Sequence, residues 1–239
     1  MAKERRKTVQ AGRLWMAVQY TALHSQNQAA RRDARALIST PAREALNARL
    51  SWQKLMLILA TNFGPTDLVV TLTYRDGNLP GRREDANRRL SNFIRALRQH
   101  RRARSEPLMY ARITEGYHSD GRLHHHLILT ATGQDVDIIR KLWASNGDNV
   151  DFEQFGINGA ERWAKYLTKE PREKGRRYVG DRTWTTSRNL KKPITTYEYV
   201  PQECDLAPPP GAIVTDKAEV QNSYGRFRHM IALLPAFEK

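Results

Sequence analysis

Cysteine is almost absent: Cys204 is the single one among 239 residues. No internal disulfide can form and no cysteine-built zinc site can exist, which fits a reducing, cytoplasmic setting. Long apolar runs are missing too. The longest, Leu55 to Ala60, is far too short to span a bilayer. Met1 to Lys7 is charged with no apolar signal core behind it, and Ala2 excludes myristoylation. Acidic residues are scarce, 25 Asp and Glu against 40 Lys and Arg, leaving a net charge of +15 and a pI near 10.2. Such a surplus points to a polyanionic partner, because each phosphate neutralised releases counterions into bulk. Neither a Gly-rich phosphate loop nor a helicase segment is present, so no nucleotide cofactor is called for.

The first third reads as helical. Thr40 before Pro41 is a cap followed by a first-turn proline, and Gly64-Pro65 ends that helix. The Ala- and Arg-rich stretch from Arg13 to Ile38 predicts another helix before it. The texture then changes. Asp67 to Tyr74 (DLVVTLTY) is a β-branched run suited to a buried strand, closed by Asp76-Gly77. Asp85 to Arg104 follows as a helix, with Leu90, Phe93, Ile94 and Leu97 at helical spacing and Arg88, Arg95, Arg98 and Arg102 on the other face. Leu108 to Glu115 and Arg122 to Thr130 read as two strands joined by a turn. Ile138, Ile139, Leu142 and Trp143 mark a helix, and Val150 to Phe155 a short strand. Asn158 with Glu161 three residues on predicts a capping box opening one more helix. A basic loop, a strand at Ile194 to Val200, three prolines at 208–210 and a tail complete the chain. This order argues for an α+β fold, an antiparallel sheet with helices on one face.

The strongest chemical signal is His124-His125-His126 inside LHHHLIL. Alternate side chains of a strand share a face, so His124 and His126 project together while His125 points the other way. Two such imidazoles can chelate one divalent ion. The bland alternative is a run of surface histidines, against which the apolar neighbours argue by making the strand central. Glu115 ends the preceding strand, and a hairpin could bring it alongside the histidines. Two histidines and a carboxylate suit Mg²⁺ or Mn²⁺ in phosphate chemistry, and equally Fe²⁺ or Zn²⁺. The ligands alone do not choose the reaction.

On the capped helix, Ala160, Trp163, Ala164 and Leu167 form the apolar stripe, while Arg162, Tyr166 and Lys169 share a flanking face. A tyrosine beside cations has what a phenolate nucleophile needs, a positive field that favours ionisation and attracts a phosphodiester. Read by itself, Tyr166 is more simply an ordinary half-buried aromatic; the metal site upstream gives it a role.

LVVTLTY (Leu68 to Tyr74), GRLHHHLIL (Gly121 to Leu129) and AKYLTK (Ala164 to Lys169) occur in the order of three motifs of the HUH endonuclease superfamily. Over roughly Asp67 to Pro171 the chain resembles its rolling-circle replication initiators, from bacterial plasmids and single-stranded DNA phages. The resemblance implies a sheet-based palm of the RRM/ferredoxin-like kind and a Mg²⁺ or Mn²⁺ ion on His124 and His126, with Glu115 as third ligand. It implies Tyr166 as the nucleophile that leaves a 5′-phosphotyrosine, and Lys169 as the group neutralising the scissile phosphate. His125 departs from the bulky apolar residue usual between the ligands, and Glu170 stands where some relatives carry a second tyrosine, implying a single-tyrosine enzyme. The implied partners are single-stranded DNA, as an origin hairpin or nick site, and host replication machinery. Arg75, Arg82, Arg162, Arg188, Lys191 and Lys192 are the candidate DNA contacts. The expected layout is a helical N-terminal extension over 1–65, the endonuclease domain over 66–200, and a linker and tail over 201–239. A single-tyrosine transposase of the same superfamily, a non-catalytic nucleic-acid-binding domain and an iron oxygenase are the rival readings.

Overall fold

The computed structural model describes residues 3–21, 41–116, 122–169, 184–222 and 225–235. Among them no helix is long and apolar enough to cross a membrane. The chain divides into two compact units, Ala45–Leu190 and a second made of Met1–Glu44 with Lys191–Lys239. Each carries its own antiparallel sheet, so the α+β class read from the sequence holds.

In the unit Ala45–Leu190, β3 (Leu68–Thr73), β4 (Tyr110–Glu115), β5 (His124–Leu129), β6 (Val150–Gln154) and β7 (Thr185–Thr186) are ordered β6-β3-β5-β4-β7. The histidine strand is therefore central, as its apolar company predicts. Side chains of β3 and β5 are buried on both faces, which is why these strands read as near-continuous apolar runs. On one face Val70, Leu72, Leu127 and Leu129 meet Leu90, Phe93, Ile94 and Leu97 of α2 (Arg83–Arg102) and Ile139 and Trp143 of α3 (Asp135–Trp143). Fully burying each such side chain stabilises by about 1.5–3 kcal/mol, enough to hold an otherwise arginine-rich helix on the sheet. Arg101 turns inward at the end of α2. It donates through its terminal nitrogens to Asp135 (2.6 Å) and to the Thr130 carbonyl (2.6 Å), a buried ion pair in which the guanidinium Nε has no hydrogen-bond partner among the described residues.

Helices were expected on one face of the sheet, and α2 and α3 stand there. A further helix, α4 (Gly159–Leu167), stands on the histidine face, with its Tyr166 ring against His126. Beside α4 runs α1 (Pro41–Asn62), joined by Lys165 over the Trp52 ring and, just beyond the helix, by Phe63 against Phe155. Asn158 occupies the N-cap position of α4 but its side chain makes no capping bond; Glu161 pairs with Lys165 instead (2.6 Å). The capping-box expectation fails because i,i+4 pairing with a lysine competes for the same carboxylate.

The second unit overturns the reading of both chain ends. The stretch expected as helix from Arg13 is strand as far as Thr21: β1 (Lys3–Ala11) and β2 (Leu14–Thr21) form a hairpin, and residues 22–38 of that expectation lie outside the described residues. The presumed tail supplies β9 (Ile213–Asn222) and β10 (Gly225–Leu233), which with β8 (Ile194–Pro201) complete a sheet ordered β8-β1-β2-β10-β9. Trp15, Ala17 and Ala232 pack on one face of it with Leu206, Ala212, Met230 and Leu234. Beside them Glu4 accepts from Gln19 (2.7 Å) and Arg228 (2.9 Å), and both donors also reach the Cys204 carbonyl. Long-range pairing and a buried polar cluster, rather than local propensity, make these residues strands.

Candidate metal centre and its tyrosine

Antiparallel register assembles the centre. Thr73, His124 and Glu115 lie directly opposite one another on β3, β5 and β4, and Thr71, His126 and Ile113 form the next row. Directly paired residues share a face, so the carboxylate at the end of β4 stands beside both imidazoles. Gly116 follows at φ +88°, and a Cβ there would collide with the Arg122 backbone, so the two strands are in close contact just past Glu115.

Nε2 of His124 lies 3.1 Å from Nε2 of His126, and Glu115 Oε2 lies 3.5 and 3.4 Å from the two nitrogens. The outer nitrogens are held. His124 Nδ1 faces the Arg122 carbonyl at 2.7 Å, an oxygen that can only accept, so Nδ1 carries a proton and Nε2 is the nitrogen turned to His126 and Glu115. His126 Nδ1 pairs with the Thr71 hydroxyl at 3.0 Å. Glu115 Oε1 is buried with no hydrogen-bond partner among the described residues. Burial raises the Glu115 carboxyl, but the neighbouring His124 and His126 outweigh it and hold it down at about 2. Three converging ligand atoms, an unpartnered buried oxygen and rings held in orientation from behind are the features of a cation site. Ligand bonds of about 2.1 Å at roughly right angles put neighbouring donors about 3 Å apart, close to what is seen here. The group could hold one metal ion.

His125 does separate work. Its side chain is fully buried on the opposite face, with Tyr74 Oη at 2.7 Å from Nε2 and Thr114 Oγ1 at 2.8 Å from Nδ1. Burial, then the neighbouring His124, Arg112 and His126, push it down to about 3, so the ring is neutral. With His125 spoken for, His124 and His126 are the pair that meets Glu115.

Tyr166 projects from α4 with its ring centroid 5.5 Å from that of His126, nearly perpendicular, and 5.7 Å from Trp163. It is half exposed. Its hydroxyl is pushed up, by burial first and then by the charges of Glu115 and Glu153. The expected cationic field is therefore not what this structure places around the phenol. Arg162 is turned away, paired to Glu153 at 2.9 Å and stacked over Trp163, and Lys169 is exposed at the end of the helix.

The remaining expected contacts scatter. Arg75 donates to the Ala144 carbonyl, and Arg82 is exposed at the N-cap of α2. Lys191 and Lys192, also exposed, belong to the other unit. Arg188 lines a cleft of about 610 Å³ with Arg98, Arg102 and Tyr110, whose carboxylate, Glu106, is already paired to Arg104. Thr71, Arg122 and Glu153 were missed by sequence reasoning. The threonine had a signal, a hydroxyl inside an otherwise apolar strand, but only register shows which imidazole it holds.

Comparison with known families covers the part of the chain that carries this arrangement. Residues 67–171 match the family of replication-associated protein ORF2. That family is one of rolling-circle replication initiators. The matched segment spans less than half the chain and falls inside the unit Ala45–Leu190, carrying the triad and Tyr166 with it. No curated protein and no solved structure matches the chain.

Proposed function

We propose that this chain nicks single-stranded DNA at a replication origin, with Tyr166 as nucleophile and Glu115, His124 and His126 holding Mg²⁺ or Mn²⁺. One observation carries the reading: the phenol of a late helix stands against one of the two imidazoles that converge with Glu115. A divalent cation bound there supplies positive charge that offsets Glu115 and polarises the scissile phosphate as a Lewis acid. This chain's own residues do the rest. His124 and His126, fixed from behind by the Arg122 carbonyl and Thr71, keep their Nε2 atoms aimed at one point. Trp163 and His126 hold the Tyr166 ring edge-on while the residue stays half exposed to a strand arriving from solvent. Tyr166 Oη attacks phosphorus, its proton leaves to solvent, and the departing 3′ oxygen takes up a proton. The 5′ side stays on the enzyme as a phosphotyrosine. The bond energy is conserved, so a 3′-hydroxyl can reverse the step. Lys169, exposed one turn on, is the cation proposed to meet the phosphate, and Arg82 and Arg188 are the proposed contacts to the flanking strand.

The test is incubation of the full chain with Mn²⁺ and pooled single-stranded oligonucleotides. An SDS-resistant adduct mapping to the Tyr166 peptide is expected. Folded, metal-loaded protein that forms no adduct across a broad pool, or forms it on another residue, sinks the proposal.

A further inference from the structure

The sheet outside the matched segment has one covered face, and on the other the half around Arg5 and Lys7 is open while Val9 and Ala11, further along β1, are buried. Glu4, Gln19, Arg228 and Trp15 lie on the covered face. The alternate residues line up across all five strands. Tyr199, Arg5, Tyr20, Phe227 and Val220 are directly paired neighbours in one row. Tyr197, Lys7, Val18, His229 and Ala218 form the row beside it. Tyr199 is 66% exposed, Tyr197 56% and Phe227 45%. A solvated face of an antiparallel sheet is normally polar. This one presents aromatic rings with cations between them: Arg5 lies 4.8 Å above the Tyr197 ring and Lys7 6.0 Å.

We propose that this face is a second binding surface for single-stranded DNA, on which unpaired bases stack against Tyr197, Tyr199 and Phe227 while Arg5 and Lys7 meet the phosphates. Strand spacing of about 4.8 Å gives a row of rings along which successive bases of a splayed strand can lie. Charge decides the occupant. Among the strand residues of this face Asp216 is the one carboxylate, and it is paired with His229 at 2.9 Å, so a second copy would bring Arg5 and Lys7 against their own kind. A polyanion is attracted where a copy is repelled. The choice of DNA over RNA rests on the replication reading above.

The experiment is fluorescence anisotropy of the full chain, in EDTA, with a labelled oligothymidylate that has no hairpin. Tyr199→Ala and Phe227→Ala are each expected to raise Kd about tenfold or more, the loss of one stacked base. Tyr199→Phe, which keeps the ring, should bind as the parent does. In a second arm, wild-type protein is photo-crosslinked to an iodouracil-substituted strand, and adducts are expected on peptides of β8 or β10. Unchanged Kd in both alanine variants, crosslinks confined to residues 45–190, tighter binding of the matching RNA, or dimerisation abolished by the substitutions would each overturn the proposal. No metal is present, so failure of the nicking chemistry leaves this readout intact and the two ideas fail separately.

Discussion

Replacing His125 by leucine separates the two jobs packed into three consecutive histidines. The imidazole is fully buried and bonded at both nitrogens, to Tyr74 Oη at 2.7 Å and Thr114 Oγ1 at 2.8 Å. Leucine removes both partners. The Tyr74 hydroxyl lies deep in the core, where losing such a bond costs about 1–3 kcal/mol. Thr114 is only half buried and can turn to water, so its loss is nearer 0.5–1.5 kcal/mol. Leucine also forfeits the edge-on contact with Trp143, whose centroid is 5.8 Å away. The sum is about 2–4 kcal/mol, or roughly 5–15 °C in Tm for a unit of this size. The Nε2 atoms of His124 and His126 project from the other face, so affinity for Mn²⁺ should change less than about threefold. His126→Ala should abolish Mn²⁺ binding, and because its ring is also buried it should lower Tm in chelator as well, so metal affinity is the quantity that tells the two variants apart. Thermal unfolding with and without EDTA, beside calorimetric titration of Mn²⁺, reads both quantities. If His125→Leu lost the metal, or melted like the parent, the division of labour inferred from strand alternation would be wrong.

Tyr166→Phe removes a half-exposed hydroxyl and should cut adduct formation at least about a thousandfold while leaving the melting temperature within about 2 °C, as gel assay and calorimetry can show. Glu115→Gln should weaken Mn²⁺ by at least about tenfold, because an anionic ligand becomes a neutral one; titration of the apo-protein reads it directly. Asp135→Ala strands the Arg101 guanidinium in the core and should cost about 3–5 kcal/mol by denaturant unfolding. The double variant Arg101→Met/Asp135→Leu should recover most of that loss, since an apolar pair of similar volume carries no unpaired charge.

How legible a residue was depended on where its partners lie. The stripe Leu90, Phe93, Ile94 and Leu97 and the alternation of His124 with His126 are local patterns, and the fold keeps them. The place of Glu115 needed the register of a hairpin, which spacing permits but does not fix. The two terminal strands were illegible for a stronger reason. The Ala- and Arg-rich composition from Arg13 onward favours helix, and the charged stretch Lys3–Ala11 that pairs with it as a hairpin carries no clear strand signal. Leu14 to Thr21 is a strand because it lies between β1 and Phe227 to Leu233, the latter some two hundred residues away. The field at Tyr166 belongs to the same class. Arg162 and Lys169 share a helix face with it in sequence, so local reasoning assigns a positive environment. In the fold Glu153 arrives from β6 and takes Arg162, while Glu115 arrives from β4, and the phenol is pushed up rather than down. On the proposed reading, the charge that activates this tyrosine cannot come from its own helix; it has to come from what the triad holds. That ties nucleophile and cation into one unit, and it is why removing either should abolish the adduct.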